Sequence, residues 1–412
     1  MRRKALFVIA LMAVQTLCAQ QTAGHWLGKL KAGIQELTIT LHIEKTSDGK
    51  QVCTMGSPDQ GVTTIPAEIV YLSDDSVNIS VPSLAAAYAA RLTGEELHGT
   101  FVQRMMPFKL DMRRGELQRN RPQTPKPPYP YNTEEVTFTN NQDTALLAGT
   151  ICYPVGYEAG KRVPVVLMVS GSGQQDRDET LFDHRPFAVI ADYLARHGIA
   201  SLRYDDRGMG GSKGEVMTAT SEDFMHDAEA GIEFLRKLKR FGKVGVIGHS
   251  EGGMIAFMMG ARRSVDFIVS MAGPAQSGDS ISAEQTNIIM RQNGYEGNYT
   301  AAMMRQNQKL QKSSPWIDFF YSYNPQTDIV RIKCPVLALN GEKDTQVSVD
   351  SNLETIKQLL PKNKKSLCKA YPGLNHLFQH CDKGTLEEYG NIEETISTEV
   401  LDDIVTWIKT IK

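Results

Sequence analysis

Two patterns of apolar and polar positions run along this chain, and they change over near residue 130. Up to residue 116 the pattern has period two. Leu37, Ile39, Leu41 and Ile43 are separated by Thr38, Thr40 and His42, and Val77–Val81 and Phe108–Met112 repeat the alternation. Short alternating runs separated by turn-forming clusters such as Ser57–Gly61 and Ser73–Asp75 predict antiparallel strands with one wet face. A small sandwich or barrel is therefore expected over residues 24–116, with Trp26 plugging its core.

Pro122, Pro125, Pro127, Pro128 and Pro130 crowd residues 117–132. Proline lacks an N–H and favours extended backbone, so this stretch reads as a semi-rigid linker. From residue 133 the strands lose their alternation. Val163–Val169, Ile199–Tyr204, Val244–Ile247, Val265–Ser270 and Val336–Asn340 are nearly continuous apolar runs. Helical periodicity over Pro186–His197, Ser221–Lys239, Val349–Leu360 and Thr395–Ile411 falls between and after them. Strands buried on both faces and alternating with helices predict an α/β domain over 133–412, with a doubly wound, mostly parallel sheet. A polar interruption over about 275–325, with Trp316, Phe319, Phe320, Tyr321 and Tyr323 near its end, reads as a short helical cap whose aromatics form mainly its own core.

Length and composition narrow the class. At 412 residues the chain is long enough for two domains, and 41% hydrophobic with 22% charged residues describes a globular protein. A net charge of −2 gives no basis for binding nucleic acid or an anionic membrane surface. Arg2, Arg3 and Lys4 precede the apolar run Ala5–Val14, and Ala19 offers a small residue for cleavage, so residues 1–19 read as a signal peptide too short to span a membrane. A secreted or periplasmic protein is expected. Lipidation at Cys18 is disfavoured by bulky Leu17 and polar Gln15. Cys53, Cys152, Cys334, Cys368 and Cys381 have no metal-site spacing, and no pairing can be chosen from sequence.

The candidate chemistry centres on Gly248–Gly252, which reads Gly-His-Ser-Glu-Gly between an apolar strand and a helical run. A G-x-S-x-G sequence in a strand–turn–helix context is a nucleophile elbow, and it marks Ser250 as nucleophile. A serine needs a base, and the base needs an acid to fix its tautomer. Asp344, just beyond the strand Val336–Asn340, is the candidate acid, with Glu342 as runner-up. His376, in the Pro/Gly-rich loop 372–376, is the candidate base. His249 is expected to point away from the site, and His25, His42, His98, His184, His197 and His226 to be surface or strand histidines. Oxyanion donors are expected from the backbone of Glu251 and of Ser172, with Gly173 next. Asp176, Arg177, Asp205 and Arg207 form two acid–arginine clusters that read as one ion-pair network bracing the site loops. The loop 170–174 is glycine-rich, but no GKS or GKT follows, which excludes P-loop chemistry.

Five motifs in order carry a family resemblance: Gly-Ser-Gly-Gln-Gln-Asp-Arg-Asp (171–178), Asp-Asp-Arg-Gly-Met-Gly-Gly-Ser (205–212), Gly-His-Ser-Glu-Gly-Gly (248–253), Gly-Glu-Lys-Asp (341–344) and Gly-Leu-Asn-His (373–376). Residues from about 133 to 412 thereby resemble the bacterial α/β-hydrolase esterases related to the serine-aminopeptidase-like group. The resemblance implies hydrolysis of carboxylic esters with no metal and no cofactor. Small-molecule esters, acetylated glycans among them, are the expected substrates. Two departures stand out: Ser170 occupies a position where many relatives carry histidine, and the cap is short. The competing readings are a serine aminopeptidase of the same fold and a non-catalytic glycan-binding protein on the same scaffold.

Overall fold

A computed structural model of the protein describes residues 21–33, 35–46, 49–60, 62–310 and 314–411. Residues 1–19, expected to be a signal peptide, lie outside them, and Cys18 with them. The chain divides after Asn120 into two compact units.

The first unit is a closed eight-stranded antiparallel barrel, the second of the two alternatives expected. Strands β1 to β8 are Gly24–Ala32, Gln35–Lys45, Gln51–Ser57, Val62–Leu72, Ser76–Val81, Ala86–Thr93, Glu96–Gln103 and Met106–Arg114. Each strand pairs with the next, and β1 closes on β8 through Trp26–Gly28. The period-two pattern sends Leu41, Ile43, Val77, Ile79, Leu110 and Met112 inward. An eight-stranded barrel is narrow enough for side chains to fill it, as they do here. Trp26 is the expected plug, 1% exposed, with its indole N–H on the Thr22 carbonyl.

The second unit holds an eight-stranded sheet in the order β16-β15-β14-β13-β11-β12-β10-β9. Its strands are β9 Thr133–Thr139, β10 Leu146–Cys152, β11 Val165–Val169, β12 Ala200–Tyr204, β13 Val244–His249, β14 Ile268–Met271, β15 Val336–Gly341 and β16 Leu367–Tyr371. β11 to β16 run parallel, and β10 joins β12 antiparallel with β9 outside it. Along β11, Val165, Leu167 and Val169 face one core and Val166 and Met168 the other, so both faces are buried and the run shows no alternation. Helices α2 (Ser221–Lys237) and α3 (Glu251–Ala261) cover the first face. α1 (Pro186–Arg196) and the closing helix α10 (Thr398–Lys409) cover the other.

The strand order reverses around β11 and β13, and the crevice outside the carboxyl ends of these strands is where such sheets hold ligands. The cap consists of α4 (Gly278–Gln292), α5 (Ala301–Leu310), α6 (Pro315–Ser322) and the short α7 (Gln326–Ile329). The helix expected over 349–360 is a wide π-type turn, Val349–Leu353, followed by α8 (Glu354–Leu359). A short α9 (Leu386–Tyr389) precedes α10. The Pro-rich stretch is strapped onto this unit from Arg121 onward. The Arg121 guanidinium donates to the carbonyls of Phe182, Gly390 and Ile392, and the Gln123 amide bonds the backbone at 395–396.

Candidate active site

Ser250 sits between the end of β13 and the first residue of α3 with φ 53° and ψ −120°. A non-glycine residue held at positive φ stores strain of about 1–3 kcal/mol, which the surrounding packing must hold. Two glycines make the turn feasible. A Cβ on Gly248 would collide with the Gly252 carbonyl, and one on Gly252 with the carbonyl of Val169 on β11. Strand and helix can therefore approach closely only without side chains at those positions. The Ser250 amide is tied to the Met271 carbonyl of β14 at 2.9 Å.

Asp344 and His376 come together as expected. His376 Nδ1–H donates to Asp344 Oδ2 at 2.7 Å, and both side chains are almost fully buried. The acid is fixed on its other lone pairs by the amides of Gln346 and Val347, each 2.8 Å from Oδ1, and by the Asn340 side chain. A carboxylate with this many donors is held in one orientation. With Nδ1–H committed to Asp344, Nε2 is the free base nitrogen. Glu342, the runner-up, is exposed beside it. Asn375 shapes the His376 loop by accepting from the amides of Leu377 and Gln379. Ser250 and His376 line one cavity of about 350 Å³.

The loop after β11 passes over the nucleophile: a Cβ on Gly171 would lie 3.2 Å from that of Ser250. Its base is clamped by Asp206, which accepts from Ser170 Oγ and from the Gln175 amide. Burial pushes the Asp206 carboxyl up to about 8. The Gly171 amide is already taken by Glu179 Oε1 at 2.7 Å. Of the two expected loop donors, Ser172 borders the cavity, whereas Gly173 does not border it. The Glu251 amide, first in α3, has no helical carbonyl to bond and lies directly after the nucleophile.

His249 corrects its expectation. It does not turn away from the site: Nδ1 lies 2.9 Å from Glu179 Oε1, and Nε2–H donates to the backbone carbonyl of His376 at 3.0 Å. Burial alone would favour a neutral ring, but the charge of Glu179 outweighs it and raises the His249 pKa. The buried Glu179–His249 contact thus links the Gly171 loop to the backbone of the base. His184 is likewise not a surface residue. It is fully buried, bonded to Thr395 Oγ1 and the Tyr389 carbonyl.

Glu251 has a second role through its side chain. Its buried Oε1 accepts from Ser221 Oγ of α2 at 2.6 Å and from the indole N–H of Trp316 in the cap at 2.9 Å. Burial raises its pKa, against the pull of these donors. Trp316 stacks on Phe320, and both border the cavity instead of forming only cap core. Phe319 and Tyr323 pack against the main core of the unit, not within a core of the cap's own.

The acid–arginine clusters form two separate assemblies, not one network. Arg177 grips Asp205 through Nε and Nη2 and reaches Glu135 and Thr150 on the neighbouring strands. Arg207, buried, pairs through Nε and Nη2 with buried Asp227 and through Nη1 with Asp143. Asp176 closes a turn by accepting from the amides of Asp178 and Thr180. The Arg177–Asp205 pair joins the two clusters as their place at neighbouring strand ends suggested, whereas Arg207 finds its partners, Asp143 and Asp227, outside them.

Residues 184–292, which include Ser250, match the family described as serine aminopeptidase, S33. Esterase EstD of Thermotoga maritima is 26% identical over 294 residues, 68% of this chain and 68% of that protein. Among solved structures, the Pyrococcus furiosus esterase Pf2001 aligns with a TM-score of 0.47 at 18% identity over 72% of this chain and 99% of that one. Est1E from Butyrivibrio proteoclasticus aligns at 0.42 and 14% over 67% and 99%. The sheet order and the strained serine at the elbow give the second unit the α/β-hydrolase fold, and its sequence is similar to the serine aminopeptidase family over the matched segment and to an esterase over 68% of the chain.

Proposed function

We propose that the protein is a serine esterase that cleaves small or short-acyl carboxylic esters through an acyl-enzyme on Ser250. The observation that carries this reading is that buried His376, held by Asp344, lines the same 350 Å³ cavity as the strained serine. His376 Nε2 takes the proton as Ser250 Oγ attacks the ester carbonyl. Asp344 holds the tautomer and stabilises the imidazolium. The amides of Glu251 and Ser172 receive the oxyanion. Collapse of the tetrahedral intermediate expels the alcohol, protonated by His376, and water then releases the acid by the same steps in reverse.

An aminopeptidase would need an open carboxylate for the substrate ammonium. Glu251, the acid next to the nucleophile, is buried and already holds Ser221 and Trp316. That supports an ester over an aminoacyl substrate. The test compares p-nitrophenyl acetate with aminoacyl p-nitroanilides, using Ser250→Ala as control. Turnover of the ester that disappears in the variant is expected. Equal turnover in the variant, or preference for the anilide, would sink the reading. The leader expected at residues 1–19 supports a secreted or periplasmic location, for which N-terminal sequencing of the mature protein should begin at Gln20.

A further inference from the structure

The catalytic cavity is not the largest one. A second, of about 720 Å³, adjoins it, and the two share Gln285, Gln346 and Leu386 in their walls. One side of the larger cavity is cap helix α4, through Gln285, Ile289, Gln292 and Asn293. The other is the segment 380–392 that follows the His376 loop. The partition between the cavities is built from amides. Gln285 Nε2 donates to the Gln346 carbonyl at 2.9 Å, and Gln346 Nε2 reaches the Tyr389 hydroxyl at 3.2 Å. The backbone amide of Gln346 also holds the Asp344 carboxylate. The larger cavity therefore opens directly beside the acid of the site.

Its far wall is a fixed structure. Lys343 Nζ, one residue before Asp344, donates to the carbonyls of Cys381 and Asp382, and Thr345 Oγ1 donates to the Gly384 carbonyl. The Glu388 carboxylate accepts from the amides of Lys383 and Gly384. Gly384, at φ +75°, leaves no room for a Cβ against the Lys343 carbonyl. A wall tied to the acid loop by these bonds holds its shape without a ligand.

The two cavities differ in chemistry. The inner one carries Leu181, Phe182, Ile281, Trp316, Phe320 and Val347 around Ser250. The outer one is lined by carboxamides, and Asp382, Glu387 and Glu388 outnumber Lys383. Carboxamides both donate and accept, which suits ligands whose hydroxyls do the same. The excess of carboxylates disfavours an anionic ligand.

Resting on the esterase reading above, we propose that the outer cavity is the leaving-alcohol subsite and that the alcohol is a neutral oligosaccharide. The short acyl group lies in the inner cavity, and the sugar bearing it extends past Gln346 into the outer one. Attack by Ser250 Oγ on the acyl carbon forms the acyl–serine bond and breaks the bond to the sugar oxygen. That oxygen takes the proton held by His376. The deacylated glycan then leaves through the outer cavity.

The test measures kcat/KM on p-nitrophenyl acetate, O-acetylxylose, O-acetylated xylotetraose and an O-acetylated galacturonate oligomer. The tetraose ester should exceed the monosaccharide ester by about tenfold or more, the yield of one or two added hydrogen bonds. The galacturonate ester should fall at least about tenfold below the tetraose ester. Asn293→Trp and Asn391→Trp, each filling the outer cavity from an exposed position, should cut the tetraose-to-monosaccharide ratio about fivefold or more, mainly through KM. A ratio near one in the wild type, unchanged in both variants, would overturn the subsite and leave the esterase standing. Equal rates on the galacturonate and neutral esters would overturn the neutral-glycan assignment. No turnover of any ester would overturn both readings.

Discussion

Inside the barrel, Trp26, Tyr88, Leu97 and Leu110 are buried among other apolar side chains. The buried polar residues among the described part of that unit are Thr22, Thr38 and Ser57, none of them ionisable in the working pH range. The hydrolase unit buries Glu179, Asp205, Arg207, Asp227, His249, Glu251, Asp279, Asp344 and His376. Taking a charge out of water costs several kcal/mol unless partners compensate it, so it needs a reason beyond stability. Of these, Glu179, His249, Glu251 and His376 line the cavity around Ser250, and Asp344 holds His376. The barrel has a uniform core with no such cluster, and it is built for shape.

This contrast can be broken in several ways, the largest effect first. His376→Ala should lower kcat on p-nitrophenyl acetate about a millionfold, as loss of a base from a triad does elsewhere. Asp344→Asn keeps the shape but presents the wrong partner to Nδ1, and should cost about ten-thousandfold. Steady-state kinetics on purified variants checks both, and residual activity above a hundredth of wild type would contradict them. Trp26→Ala should destabilise the barrel by about 3–5 kcal/mol, read from its denaturant midpoint. The ester kcat should stay at the wild-type value. A joint fall in kcat would show that the barrel contributes to the chemistry after all.

Smaller effects sharpen the picture. Glu251→Ala leaves the Ser221 hydroxyl and the Trp316 indole without their acceptor and should cost about 1–3 kcal/mol. The loss should appear first as faster hydrogen exchange in the cap residues 315–322. Asp206 sets a pH dependence. Its carboxyl, raised by burial to about 8, keeps its proton in the folded state while an unfolded aspartate loses it near pH 4. The stability this adds is full below about pH 4 and is lost as pH rises through about 8. Asp206→Asn should remove that share of the decline in thermal midpoint between pH 5 and 8. An unchanged slope would place the proton elsewhere.

Much of this was readable in the sequence because some positions admit few residue types. Gly248 and Gly252 are dictated by collision, so the elbow is visible as a motif. The uninterrupted apolar runs of β11 and β13 reflect burial on both faces. β9 and β10 escaped notice because β9 is an edge strand carrying Glu134 and Glu135, and its polar face hides the pattern. The Glu179–His249 bridge left no trace either. It depends on a carboxylate from a positive-φ turn meeting a ring 70 residues away, and no local spacing encodes that. Trp316 and Phe320 looked like any helical aromatic pair, and only the cap's placement shows them bordering the cavity.

Everything rests on Ser250 being an activated nucleophile. The most direct measurement is mass spectrometry of the protein after treatment with a fluorophosphonate, followed by peptide mapping. One phosphonyl adduct on the peptide containing Ser250, absent from His376→Ala, is the expected result. No adduct, or an adduct on another serine, would contradict the account.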